Sequence, residues 1–574
     1  MRGILKYLKP FYKMMLGGFL IKTVGTLIEL ALPYILSHIL KNVVVTADLK
    51  NIIIWGVAMI VCALLSAYLN IIANRKASLV ARNFSENIRH DLFNKIMRLS
   101  SAQIDRFTIP SLESRITSDT YNIHHFAGIA QRMGVRAPIL LIGGIVITLL
   151  MDSYLALAMI AVLPFIFVVV YFVSKKGIPL YTKVQSAVDR MTRVVREDVQ
   201  GIRVIKALSK GEYEHKRYDN VNKALSQDER KAGITMGMMN PIMTFLMNFG
   251  IVAVIALSAN RIANHQSDPE TVIAFMQYFT LISMAMMTVT RIFVMYSKSA
   301  ASAGRIMEVI EAKEDLAVFL KEEYPNISSD EHIVFDNVCF SYNEKQNDVD
   351  SISFKIKKGG SLGIIGATGS GKSTIIKLLM RFYDVSSGGI YIGGENIKTI
   401  PDNVLHNMFG VALQNDFLYS DTIKENILFG RNATDDEIRR AAKVAQADEF
   451  INAFPDGYEH ILAQKGTNIS GGQKQRLLIA RAVLNSPKIL ILDDSSSALD
   501  YKTDANLRKC LKESLKDTTV ITVAQRVSSV KDCDTIIVIE EGKIIGLGTH
   551  EQLLENCLEY KEISDSQMGG AIID

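Results

Sequence analysis

A polytopic α-helical membrane domain followed by an α/β domain is the fold class that three features of the 574-residue sequence predict. Apolar residues crowd into the first half, in runs long enough to cross a hydrocarbon layer of about 30 Å. From about Ile333 the pattern changes to short β-type runs, turns and helices. Within that second region an apolar strand runs into a glycine-rich loop and then a helix. The expected organisation is a membrane domain over residues 1–310, a linker over 311–332 and the α/β domain over 333–574.

Six apolar stretches mark the spans, near residues 14–40, 52–73, 137–151, 153–174, 235–259 and 271–296. The third is too short alone and must borrow residues from Phe126 onward, because Met151, Asp152 and Ser153 leave room only for a tight turn. Lys and Arg are concentrated between spans two and three (Arg75, Lys76, Arg82, Arg89, Lys95) and between four and five (Arg193, Arg196, Arg203, Lys206, Lys210). The positive-inside rule puts both segments, with the N-terminus, in the cytoplasm. The opposite connections, near Asp48, Asp152 and His265 to Glu270, carry few positive charges. Val80, Phe84, Ile88, Leu92 and Ile96 recur at four-residue steps, so the spans are expected to continue as long cytoplasmic extensions. The basic N-terminus lacks a small-residue cleavage site and reads as a retained lead-in.

A net charge of +5 without a basic tail or helix face gives no support to nucleic-acid binding. Five scattered cysteines lack metal-site spacing and indicate reduced thiols. Glu29 and Arg291 stand out as charges within spans, where charge is costly and faces a bundle interior or a watery cavity. Spans five and six are rich in methionine, from Met236 to Met247 and from Met276 to Met295. Such side chains suit either a surface that adapts to varied apolar ligands or ordinary packing.

The strand Ser361 to Ile365 leads into Gly366-Ala367-Thr368-Gly369-Ser370-Gly371-Lys372-Ser373-Thr374 and a helix. This is the P-loop pattern in its strand-loop-helix context. The glycines let several N–H groups converge on one phosphate chain at a helix N-terminus. Lys372 is expected to reach the β- and γ-phosphates of ATP, and Ser373 to ligate Mg²⁺. A second apolar strand, Ile489 to Leu492, ends in Asp493 and Asp494. A carboxylate in that place holds the metal in P-loop NTPases, the role expected of Asp493.

Between these motifs lies Ile469-Ser470-Gly471-Gly472-Gln473, opening another helix. Here the chain resembles the ABC transporter family, whose LSGGQ signature occupies this position. The resemblance implies that Tyr342 stacks on adenine, that Gln414 is a Q-loop glutamine reaching Mg²⁺, and that Ser497, Ala498, Leu499 and Asp500 form a D-loop. In the membrane half, Asp105-Arg106-Phe107, Ser114 to Asp119 and Gly201 to Ala207 resemble the exporter branch, where such segments lie near coupling helices. The family's ATP-binding domains close head to tail. That implies that Ser470, Gly471, Gly472 and Gln473 act in trans, on ATP held by a second half-transporter.

Two positions depart from the family pattern. Where it has a catalytic glutamate and an H-loop histidine, this chain has Asp494 and Gln525. Aspartate is one methylene shorter, setting its oxygens back by about 1.5 Å, and a displacement near 1 Å costs on the order of 100-fold. Glutamine can hydrogen-bond phosphate but cannot carry a proton. A third departure is Ala463 to Gly466, where exporters usually have an acidic loop. Asp494 and Gln525 beside an intact signature predict a degenerate ATP site on one member of a heterodimer, a homodimer being the alternative. The expected activity is ATP-driven export of small amphipathic or hydrophobic compounds across the plasma membrane, as in multidrug export. A peptide or lipid exporter, or an ATP-gated channel or regulator, is the rival.

Overall fold

The computed structural model describes residues 2–46, 48–263, 268–313, 315–316, 330–343, 345–414, 417–495 and 497–568. Most of the expected linker, at 317–329, and the connection at 264–267 lie outside the described residues. The chain forms two compact units, Met1–Arg98 with Thr108–Ala312, and Leu99–Phe107 with Lys313–Asp574.

Among the described residues the first unit contains six helices long and apolar enough to cross a membrane: Gly3–Thr46, Leu49–Ile96, Ile109–Met151, Ser153–Gln200, Gly211–Ala263 and Pro269–Ile310. A span needs about 20 residues, whereas these run from 42 to 53, so each outruns the bilayer. The third begins well before Phe126, which resolves its short apolar stretch. Asp152 closes the turn into the fourth span by accepting from the backbone N–H groups of Tyr154 and Leu155. Leu49–Ile96 contains no proline, while Ser153–Gln200 contains Pro164 and Pro179.

Close helix approach follows from small residues. A Cβ on Gly143 would meet Leu30 Cδ1 at 2.6 Å, and one on Gly144 would meet Ile282 Cγ1 at 2.8 Å. Tyr278, fully buried, donates its hydroxyl to Leu30 O at 2.6 Å. Below the apolar layers, Arg305 pairs with buried Asp119, whose Oδ1 also accepts from Ser302 Oγ at 2.8 Å. The methionine-rich stretches divide. Met243 is buried, with Met239, Met247, Met286 and Met287 packed around the same cluster, whereas Met238, Met276 and Met284 are exposed.

The second unit has two sheets. Strands β1 (Glu331–Phe340), β2 (Val349–Lys357), β4 (Ser387–Ile392) and β5 (Glu395–Asn396) form an antiparallel sheet in the order β2-β1-β4-β5. Strands β3 (Ser361–Gly366), β6 (Phe409–Ala412), β7 (Ile489–Asp493), β8 (Thr519–Val523), β9 (Thr535–Glu540) and β10 (Lys543–Gly548) form the other, in the order β10-β9-β3-β8-β7-β6. Five of these run parallel, with β10 antiparallel at one edge. β7 is buried at every residue, the continuous apolar run that a strand covered on both faces requires. The core between the sheets is aliphatic around the stacked pair Phe335 and Phe354. The helix Ser101–Phe107 also belongs to this unit, where Tyr383 Oη donates to Asp105 Oδ2 and Ser100 Oγ to Asp315 Oδ2.

Candidate functional site

In an open parallel sheet, the carboxyl ends of the strands are where ligands bind. Four such ends converge here. β3 delivers the loop Gly366 to Thr374, β7 ends in Asp493 and Asp494, β8 leads through Ala524 to Gln525, and β6 leads through Leu413 to Gln414. They surround a cavity of about 720 Å³ lined by Tyr342, Thr368, Gly369, Gly371 to Thr374, Gln414, Asp493, Asp494 and Gln525.

The loop's conformation depends on glycine at two points. Gly366 has φ +158°, and a Cβ there would lie 2.1 Å from Ile539 O; Gly371 has φ +104°, and a Cβ there would lie 3.0 Å from Asp348 O. Lys372 opens the helix Lys372–Leu379, and its Nζ donates to Gly366 O at 2.9 Å and Ala367 O at 2.6 Å. An ammonium has three donors, so one remains for a ligand. Ser370 Oγ is buried without a hydrogen-bond partner among the described residues, as fits a loop built around an external anion. Tyr342 is partly exposed at the cavity rim, with its hydroxyl 3.4 Å from Thr374 Oγ1 and its ring against Tyr383.

Oxygen donors for a hard cation gather on the opposite wall. Ser373 Oγ lies 3.5 Å from Asp493 Oδ1. Gln414 Nε2 donates to Asp494 Oδ2 at 3.2 Å, which leaves its own carbonyl oxygen available. A hydroxyl, a carboxylate and an amide oxygen are ligands of the type that Mg²⁺ accepts while keeping waters and phosphate oxygens. Asp494 adopts φ +49°, a left-handed conformation that aspartate tolerates better than longer side chains.

Ser470, Gly471, Gly472 and Gln473 do not line this cavity. They open the helix Gly471–Val483 with a capping box, Ser470 Oγ accepting from Gln473 N and Gln473 Oε1 from Ser470 N. Ser470 and Gly471 are exposed. The neighbouring Ser497 to Asp500 segment packs against the same helix, with Ala498 N donating to Gln475 Oε1 at 3.1 Å and Leu499 buried.

The sequence matches the ABC transporter transmembrane region over residues 15–286 and the ABC transporter domain over 349–497. It is 34% identical to the uncharacterized ABC transporter ATP-binding protein YfiB of Bacillus subtilis, over 99% of both chains. The chain belongs to the ABC transporter family. It is also 31% identical to YknU of the same organism, over 98% of this chain and 96% of that one. The fold is shared with a bacterial Atm1-family ABC exporter solved with ATP bound, at a TM-score of 0.81 and 23% identity, over 96% of this chain and 98% of the other. The six apolar helices are thus those of a multi-pass membrane protein, and the second unit is an ABC transporter's ATP-binding domain.

Electrostatics in the transporter's cavity are set by burial. It lowers the Lys372 ammonium from its ordinary value, against the pull of Asp493 and Asp494. It raises Asp493, against the Ser373 hydrogen bond, and raises Asp494, against that from Gln414.

Two contributors went unread in the sequence. Gly542 holds the loop from outside the motif, its N–H donating to Ser370 O at 3.0 Å, and Asp348 O packs close to both Gly371 and Gly542, lying 3.0 and 2.7 Å from where a Cβ on each would stand. In the membrane unit, Glu29 pairs with Arg136. The arginine sits just outside the third apolar stretch at 137–151, and its four-residue step from Arg132 is the sequence signal for a polar face on that helix. Arg291 is exposed.

Proposed function

We propose that this chain is one half of a dimeric ATP-driven exporter whose own P-loop site turns ATP over slowly. The observation that carries this is the signature helix. Its exposed, pre-capped N-terminus is an anion-binding place outside the chain's own cavity, which already has a helix start at Lys372. A ligand for Ser470 must therefore be held by another P-loop, and the chain works as half of a pair.

In this reading Lys372 and the loop amides hold the phosphates, and Tyr342 stacks on the adenine. Ser373, Asp493 and Gln414 hold Mg²⁺, which neutralises phosphate charge. Asp494 orients the attacking water poorly, because its side chain is short and its oxygen already accepts from Gln414 and Gln525. Gln525 hydrogen-bonds but does not relay a proton. The signature is intact, so a partner with glutamate and histidine in the corresponding places would supply the fast site, which favours a heterodimer. The Lys- and Arg-rich extensions support a cytoplasmic N-terminus and ATP-binding domain, with transport outward across the plasma membrane.

ATP binding acts as a ligand for the closed pair, and hydrolysis resets it. The proposed cargo is a small amphipathic or hydrophobic compound. The test is ATP-dependent uptake of an amphipathic dye into inverted membrane vesicles carrying this chain alone or with the second half that co-purifies with it. Uptake only with the second half supports the reading. Rapid hydrolysis and uptake by this chain alone contradict the heterodimer, and ATP-gated ion conductance without uptake contradicts export.

A further inference from the structure

The membrane unit holds a polar cluster outside the nucleotide site. Lys22 and Glu29 stand seven residues apart on the first span, Asn70 and Asn74 four apart on the second, and Arg132 and Arg136 four apart on the third. Each pair shares one helix face. Five of these six line a cavity of about 360 Å³, Arg132 lying one helical turn from Arg136.

The internal pairing leaves positive charge over. Arg136 donates to both oxygens of Glu29, Nε to Oε2 at 3.1 Å and an NH2 group to Oε1 at 2.5 Å, so one cation is matched by the one carboxylate. Lys22 is 5% exposed, and among the described residues its ammonium has a single hydrogen bond, to the neutral Asn74 Oδ1 at 3.2 Å. Arg132 turns its Nε back to Gly128 O of its own helix. Asn70 Oδ1 is buried without a hydrogen-bond partner among the described residues. Three cations against one carboxylate, at mid-length of the first span, is an expensive arrangement if it only joins helices. An electroneutral pair would serve that purpose.

We infer that this cavity binds the anionic group, a carboxylate or phosphate, of an amphiphile, with Lys22 and the Arg136 guanidinium as counter-charges. Asn70 Oδ1 accepts from a neighbouring O–H or N–H of the ligand. The inference deepens the export reading above and rests on it for the claim that the bound amphiphile is cargo. A cavity of this size takes a head group and leaves the apolar tail among the spans.

The full chain in phosphatidylcholine nanodiscs is titrated with labelled dodecanoate and with dodecyltrimethylammonium of equal chain length, each corrected against empty discs. The expected result is a Kd for dodecanoate at least ten-fold below that of the ammonium, and a ten-fold rise for Lys22→Met. Glu29→Gln removes the competing carboxylate from Arg136 and should tighten dodecanoate binding; it keeps the test open if Lys22→Met does not fold. Equal affinity for the two amphiphiles, or weaker dodecanoate binding in Glu29→Gln, overturns the proposal. Repeating the titration with phosphatidylglycerol in the discs separates sources. Competition assigns the site to a lipid head group and its absence to a soluble amphiphile, the anionic assignment standing in both cases. Vesicle uptake separates the two readings: ATP-driven uptake of a cationic dye with no dodecanoate binding overturns the anionic site and leaves export standing. Selective dodecanoate binding without any ATP-driven uptake retires export and keeps the site.

Discussion

Gln525 Nε2 lies 3.4 Å from Asp494 Oδ2, the same oxygen that accepts from Gln414 at 3.2 Å. Two neutral amides thus converge on the carboxylate proposed to orient the attacking water, and neither can take a proton. Restoring reach and proton transfer together, with Asp494→Glu and Gln525→His, should raise ATP turnover at this P-loop by about 100-fold in the assembled pair. The left-handed backbone at residue 494 is less comfortable for glutamate, so the double variant should also melt slightly lower. Steady-state ATPase assays on a pair whose other P-loop is disabled read the gain. A native site that is already fast, and that Asp494→Asn silences, contradicts the assignment.

The capping box at Ser470 makes a separate prediction. Ser470→Ala removes the acceptor for Gln473 N and should cost about 1 kcal/mol of stability in the ATP-binding domain. In the assembled pair it should also slow hydrolysis at the opposite P-loop by about 100-fold, the lower range for a lost donor to developing charge. Thermal melting reads the first effect and ATPase assays the second. Loss of the cap without loss of turnover would sink the trans role.

Burial of Asp493 and Asp494 gives a pH dependence whose sign can be worked out. Both carboxyls are raised from 3.8 in the folded state, so the stability they contribute is present below that value and lost as pH rises through the raised one. At neutral pH both are charged at a cost, and Mg²⁺ held by Asp493 would need that carboxylate charged. Mg²⁺-dependent ATP affinity should therefore decline on acidification from a higher pH than an exposed aspartate would give. Asp493→Asn should remove most of this limb, bind Mg-ATP at least about ten-fold more weakly, and melt higher than the native protein at neutral pH when nucleotide is absent. Fluorescent-nucleotide titrations and melting curves across pH measure both.

Gly410, in β6 just before the Gln414 segment, has no room for a side chain. A Cβ there would lie 2.1 Å from Ala482 O on the signature helix. Gly410→Ala should cost roughly 2 kcal/mol and lower the melting temperature of the domain by about 5 °C. An unchanged melting temperature would show that the strand and helix can part without penalty.

The nucleotide site was readable where chemistry is local. The P-loop carries its strand, its glycines and its lysine within one short segment, and Asp493 announces itself by ending a wholly apolar strand. Contacts between distant parts of the chain were not readable. Gly542 reaches Ser370 across the turn between β9 and β10, and nothing in the pattern around Gly542 distinguishes it from any other turn glycine. The membrane half shows the same division. Its six apolar runs were plain in the sequence and fold as long helices, and the column from Val80 to Leu92 is buried. The partner of Glu29 lies 107 residues away, and only folding shows that it is Arg136. Methionine content did not say which way each side chain points, and the folded spans bury some and expose others.

The two longest uninterrupted helices differ mechanically. Each has 48 residues, about 72 Å end to end if straight, yet one contains no proline and the other has two. Tilting the proline-free helix by about 10° around its centre would carry each tip some 6 Å sideways, by the same geometry. Its counterpart lacks backbone hydrogen bonds at two places and can flex there. The bundle thus pairs a stiff lever with a jointed one, and a push at one end arrives whole through the first and is partly taken up as bending in the second.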